Sequence, residues 1–232
     1  MIKLLPLLLL VLYAMAMWFF SAWRLRREMD RRSTPLADPR LTPHLDRLAR
    51  AMDLPRIQAH VYEVPIVNGL AIPDGRVFLT RGFLDRLDAG AVTAPELASV
   101  IAHELGHVAK GHSRRRMVDF AGHNAVRLVL AGVLGRFLPG IGTWIAGLVA
   151  SALAARLSRQ DEFEADAFAS ALMVKAGLGT APQKSLFAKL DTLTSPGGVA
   201  PVAAAAPAWL RSHPPTPQRI AAIEALERRW GL

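Results

Sequence analysis

TAPELASVIAHELGHVAKGH, residues 93–112, decides how the rest of the chain is read. Thr93 and Glu96 stand three apart with Pro95 between them, the pattern of a capping box with proline in the first helical turn. The spacing predicts a helix that runs to Lys110 and stops at Gly111. On such a helix His103 and His107 are four apart, so they share a face and their rings point the same way. Two neutral imidazoles in that arrangement can bind one Zn2+. Glu104 is then turned toward the space beside the metal, where it can serve as general base and acid on zinc-bound water.

A catalytic zinc takes three protein ligands and leaves one position open. In the metzincin pattern the third would be a histidine ten residues after His103, but that position is Ser113, and Lys110 stands where that pattern has glycine. The third ligand must come from elsewhere, and SRQDEFEADAFASALMVKAG, residues 158–177, is the candidate segment. It reads as a helix over 158–176, stopped by Gly177. Glu162 and Asp166 share a face of it, so Glu162 can reach the zinc while Asp166 holds the second ring N–H of a ligand histidine. Glu164 points elsewhere and reads as a solvated helix charge.

The amino-terminal region has a different character. Residues 4–23, LLPLLLLVLYAMAMWFFSAW, carry no charge and match the roughly 20 residues an α-helix needs to cross a bilayer. A cleaved signal peptide ending near Ala14-Met15-Ala16 is the competing reading, but the apolar run continues past that site. Residues 1–23 are therefore expected to be a transmembrane anchor and 24–40 a juxtamembrane linker. Arg24, Arg26, Arg27, Arg31 and Arg32 follow the run, against Lys3 before it. The positive-inside rule then puts the body at the cytoplasmic face of a bacterial inner membrane, with a periplasmic body as the alternative.

Net charge is +9, from 28 Lys and Arg against 19 Asp and Glu. No aromatic interleaving or reader motif accompanies it, so membrane lipid is the expected partner and nucleic acid is not. The absence of cysteine excludes disulfides and thiolate metal sites.

Within the body, residues 41–232, a short helix is expected over 43–52, strands over 58–64, 68–72 and 76–80, and a helix over 81–87 capped by Thr80. A terminal helix should start at Thr216-Pro217. Residues 194–208 are low-complexity and read as a mobile loop. Residues 126–157 form a second apolar block, interrupted by Arg136. Because His103 and Glu162 must meet at one metal, this block crosses a membrane twice or not at all. Two crossings need about 40 apolar residues, so a helical hairpin turning near Pro139-Gly140 is expected.

HELGHVAKGH, EFEAD and SHPPTPQRI (residues 212–220) together resemble the HtpX-like membrane zinc metallopeptidases, the family that includes the eukaryotic CAAX prenyl protease. The likeness covers roughly residues 40–230. It implies a mainly α fold with a small β-sheet, an α+β zincin-like domain behind the anchor. It also implies that Glu162 is the third zinc ligand with Asp166 behind it, that His213 steadies an oxyanion, and that Arg219 is the arginine that follows it. VPIVNGLAIPDGRVFLT, residues 64–80, resembles the family's edge strand, where substrate backbone pairs by strand addition along Asn68, Gly69, Leu70 and Ala71. Relatives often have alanine in place of Gly69, and the loss of a side chain there should not disturb such pairing.

These readings converge on a membrane-anchored zinc endopeptidase acting on misfolded or membrane-associated polypeptides. The rival is a membrane chaperone or adaptor that keeps the fold without catalysis, which would have no need of Glu104.

Overall fold

The computed structural model describes residues 5–72, 74–112, 131, 136, 141–194 and 216–232. The chain is mainly helical with a small mixed sheet, the α+β class expected. Helix α1 (Leu5–Arg32) leads directly into strand β1 (Ser33–Pro35). Helix α2 (Thr42–Ala51), β2 (Ala59–Tyr62), β3 (Gly69–Ala71), β4 (Val77–Thr80) and α3 (Arg81–Asp88) follow. Helices α4 (Ala94–Ala109), α5 (Gly142–Lys175), α6 (Ala181–Thr194) and α7 (Thr216–Trp230) complete the described elements.

The sheet order is β1-β2-β4-β3. β2 and β4 run parallel, and β1 and β3 lie antiparallel on either side. β3 is therefore an edge, paired with β4 through the register Gly69–Leu79, Leu70–Phe78 and Ala71–Val77. Thr80 precedes α3 as expected, but its hydroxyl does not cap that helix. The hydroxyl instead accepts from Asn68 N and donates to Asn68 O, both at 2.9 Å, pinning the entry to the edge strand.

α4 is the central helix. Its capping box is formed: Thr93 N donates to Glu96 Oε2 at 2.7 Å, and Glu96 N donates to Thr93 Oγ1 at 3.4 Å. Glu96 is also buried against α6, where its Oε1 accepts from Ser185 Oγ at 2.5 Å and Lys189 Nζ at 2.7 Å. Leu97, Ile101 and Leu105 recur at helical spacing and are all buried in the main core. Each contributes about 1.5–3 kcal/mol by leaving water, so α4 is held by burial on one side and is free to present His103 and Glu104 on another. The same core takes in Val61, Val77 and Leu79 of the sheet, Leu172 and Met173 of α5, and Phe187 and Leu190 of α6.

Three segments differ from expectation. The stretch read as a linker is helix to Arg32 and then a sheet strand, because Met29 packs with Ile72 and Phe78 on the second face of the sheet. The ligand-bearing helix begins at Gly142 rather than near residue 158, so the arm after the expected Pro139-Gly140 turn is continuous with it. Helix α6 is an element the sequence pattern does not predict. Pro139, Gly140, most of residues 126–141 and the loop beyond residue 194 lie outside the described residues. Among the described residues, no helix is long and apolar enough to cross a membrane.

Candidate metal centre

The metal group is built where α4 crosses α5. Gly106 makes the close crossing possible: a Cβ there would lie 3.0 Å from Ala165 O, 3.1 Å from Ala165 Cα and 3.3 Å from Phe168 Cβ. The glycine of HELGH and the alanine of EFEAD are thus in contact, which brings the two histidines of one helix to the glutamate of the other. His103, His107 and Glu162 offer donor atoms that all lie within 4.8 Å of one another.

The separations suit one small cation. His103 Nε2 and His107 Nε2 are 3.1 Å apart. Glu162 Oε2 is 3.4 Å from His103 Nε2, and Oε1 is 3.5 Å from His107 Nε2. Tetrahedral ligands at zinc's usual N and O bond lengths of about 2.0–2.2 Å stand about 3.3–3.6 Å from each other. The donor triangle therefore needs almost no movement to close on Zn2+.

The surroundings fix which nitrogen His103 presents. Its Nδ1 lies 2.9 Å from Asp166 Oδ1, which leaves Nε2 for the metal. Asp166 in turn accepts from Arg219, Nε to Oδ2 and Nη2 to Oδ1, both at 2.6 Å. The Arg219 guanidinium lies 4.0 Å from the centre of the Phe187 ring and is almost fully buried. Burial by itself would raise the Asp166 pKa, but the charge and hydrogen bonds of Arg219, with those of His103, hold it below the usual carboxylate range. Burial likewise disfavours a charged His103. The hydrogen bonds to Asp166 and Glu162 outweigh that and push its pKa up to about 9. Glu162 and Asp166 thus set two carboxylates against His103, an electrostatic setting that suits a divalent cation.

On the far side of His107, its Nδ1 lies 2.8 Å from Nδ1 of His112. His112 Nε2 lies 3.3 Å from Glu164 Oε2 and 3.6 Å from Asp161 Oδ1. The reading of Glu164 as a solvated charge is corrected by this contact. His112 was given no role from sequence. The signal available was the Gly111 stop, where φ of +66° turns the chain back beneath α4.

Glu104 sits on the wall of a largely apolar cavity that also touches His103, Gly69, Val100, Phe83 and Phe187. Gly69 closes the approach of β3 to α4: a Cβ there would fall 2.6 Å from Val100 Cγ1 and 3.3 Å from Glu104 Oε1. Backbone pairing at residue 69 is intact without a side chain, Gly69 standing opposite Leu79, as expected. Asn68, Leu70 and Ala71 carry the rest of the edge, and Asn68 also borders the cavity. His213 lies outside the described residues.

Comparison with known proteins places this geometry. The sequence profile of Peptidase family M48 matches residues 35–227. Metalloprotease LoiP of Escherichia coli (strain K12) is 29% identical over 154 residues, covering 66% of this chain and 59% of that protein. Metalloprotease YcaL of the same organism is 30% identical over 159 residues, covering 68% and 58%. Protease HtpX of Pseudomonas aeruginosa (strain UCBPP-PA14) is 26% identical over an alignment of 245 residues, covering 90% and 81%. The chain thus spans less than two thirds of the length of the two E. coli relatives. The crystal structure of S. mikatae Ste24p aligns with a TM-score of 0.49 at 20% identity, covering 83% of this chain and 52% of that one. The chain belongs to peptidase family M48, with one zinc ion as the cofactor its His-His-Glu group would hold.

Proposed function

We propose that the chain is a membrane-anchored zinc endopeptidase that cuts extended segments of misfolded or membrane-associated polypeptides. The observation that carries this reading is the His103, His107 and Glu162 triangle opening beside Glu104 onto a cavity bordered by an edge strand. The relatives' names, metalloprotease and protease, agree with it.

Bound zinc would supply Lewis-acid polarisation of the scissile carbonyl and acidify a water beside it. Glu104 takes the proton of the attacking water and returns it to the leaving amine. Asp166, anchored by Arg219, holds His103 with Nε2 forward. The outer edge of β3, with which no strand pairs among the described residues, suits an extended substrate along Asn68, Gly69, Leu70 and Ala71. Val67, Leu186 and Phe187 favour an apolar side chain in the adjoining cavity. His213, by family resemblance, would stabilise the oxyanion.

Membrane attachment is supported by the uncharged run at residues 4–23, by the arginines that follow, and by the continuity of α1 with the sheet through Met29. The arginine asymmetry favours a cytoplasmic catalytic body at a bacterial inner membrane.

The test is cleavage of casein by the detergent-purified, zinc-loaded full chain, with Glu104→Gln beside it. Loss of a general base costs about 10²- to 10⁴-fold in rate, so the wild type should cut and the variant should not, while both hold zinc. Equal cutting by both would sink the role given to Glu104. No cutting by either, with zinc bound and unfolded chains retained, would favour the chaperone or adaptor reading.

A further inference from the structure

We propose that His112, backed by Glu164 and Asp161, is a positioning residue that locks His107 in its metal-binding tautomer. The inference rests on the reading of His107 as a zinc ligand.

Two imidazole nitrogens 2.8 Å apart, Nδ1 of His107 and Nδ1 of His112, hold one proton between them, so one ring donates and the other accepts. If His107 keeps Nε2 bare for the metal, its proton is on Nδ1 and it donates. His112 then accepts at Nδ1 and carries its own proton on Nε2. That atom faces Glu164 Oε2 at 3.3 Å and Asp161 Oδ1 at 3.6 Å, both acceptors when ionised. With the cation at His107 Nε2, each ring nitrogen of the pair has a compatible role. In the opposite assignment His112 would donate, His107 would carry its proton on Nε2 and block the metal, and a bare His112 Nε2 would face two carboxylates. Glu162 Oε1, 3.5 Å from His107 Nε2, favours a proton there in the metal-free site, and the carboxylates behind His112 bias the pair the other way, toward the metal-binding tautomer.

The backbone is arranged for this contact. In a continuing helix, residue 112 would stand about 140° around the axis from residue 107. The chain instead leaves the helix after Lys110, and Gly111 at φ +66° folds His112 back beneath His107, where it is 1% exposed. α5 then contributes three carboxylates in one turn: Glu162 to the metal group, and Asp161 and Glu164 to His112. The two histidine ligands are thus held by different devices, His103 by Asp166 with Arg219 and His107 by a second histidine with an acidic pair.

The test is zinc affinity of the full chain in detergent, by competition with a chelating dye, with unfolding of the metal-free protein measured in parallel. Partners behind a ligand histidine typically govern about 10- to 100-fold of metal affinity. His112→Leu should lose that much. His112→Asn, whose Oδ1 can replace the Nδ1 acceptor, should recover most of it. Glu164→Met combined with Asp161→Leu removes both acceptors while leaving the buried ring in place, and should weaken zinc about fivefold or more. In the wild-type zinc-loaded protein, 15N spectra should show the His112 proton on Nε2.

Unchanged affinity in the carboxylate double variant, equal losses in His112→Leu and His112→Asn, or a His112 proton on Nδ1 would each overturn the proposal while leaving the zinc site intact. A wild-type chain that holds no zinc would overturn the zinc reading itself, and this inference with it.

Discussion

Gly106→Ala separates packing from chemistry at the helix crossing. The added Cβ would stand 3.0 Å from Ala165 O and 3.1 Å from Ala165 Cα, both backbone atoms that cannot rotate away. Ordinary contact needs about 0.3–0.4 Å more, so α4 and α5 must part by that amount. Alanine in a helix interior is favoured over glycine by about 1 kcal/mol, while overpacking costs about 1–3 kcal/mol. The net effect on the metal-free fold should be a loss of no more than about 2 kcal/mol. The donor triangle has less tolerance. His107 is adjacent to the substituted position and Glu162 lies on the opposing helix, so their 3.5 Å separation widens toward about 3.9 Å, beyond the ±0.2 Å within which metal sites hold their distances. Zinc affinity should fall about tenfold or more, close to 1.4 kcal/mol. Chelator competition reads the affinity, and urea unfolding of the metal-free protein reads the fold. Wild-type zinc affinity in a folded Gly106→Ala protein would refute the argument that this contact sets the ligand geometry.

Asp166→Asn should cost about 3–5 kcal/mol in urea unfolding because it strands the buried Arg219 guanidinium. Gly69→Ala forces β3 off Val100, so kcat/KM on an unfolded protein should fall while zinc affinity stays level. A fall in both would mean that Gly69 supports the metal group rather than the substrate edge. Acid stability should depend on Glu96. Burial works against its ionisation, but the hydrogen bonds from Lys189, Ser185 and Thr93 N outweigh it and lower its pKa. The folded carboxyl thus binds its proton less readily than the unfolded one. Its contribution is fully present above the unfolded value of about 4.3, and is lost as pH falls through the lower folded value. Urea midpoints between pH 3 and 6 should drop less steeply for Glu96→Gln than for wild type, and identical slopes would remove Glu96 from the account.

How far the chain could be read in advance varied with the kind of signal. α4 was legible because its capping box, its apolar spacing and its glycine stop all pointed to one helix. The short strands were legible from their β-branched and aromatic residues and the turn at Asp74-Gly75. α6 is weakly signalled: Leu186, Phe187, Leu190 and Leu193 mark a buried face, but its first turn carries no acidic residue and its last turn no basic one. β1 has no signal of its own: three residues, one of them proline, become a strand only because β2 offers an edge. Thr80 had the right chemistry for a cap, yet tertiary contact with Asn68 claimed its hydroxyl. At the metal centre, helical spacing brought out His103, His107, Glu162 and Asp166. The pairing of His112 with Glu164 depends on how two helices cross and on a left-handed turn, and neither is periodic in sequence.

The most direct test of the account is zinc titration into chelator-stripped protein while casein cleavage is followed. Cleavage should return in proportion to bound zinc and saturate at one ion per chain, with Glu104→Gln binding the same single ion and cutting nothing. Cleavage that persists without zinc, or a wild-type chain that binds no zinc at this site, would contradict it.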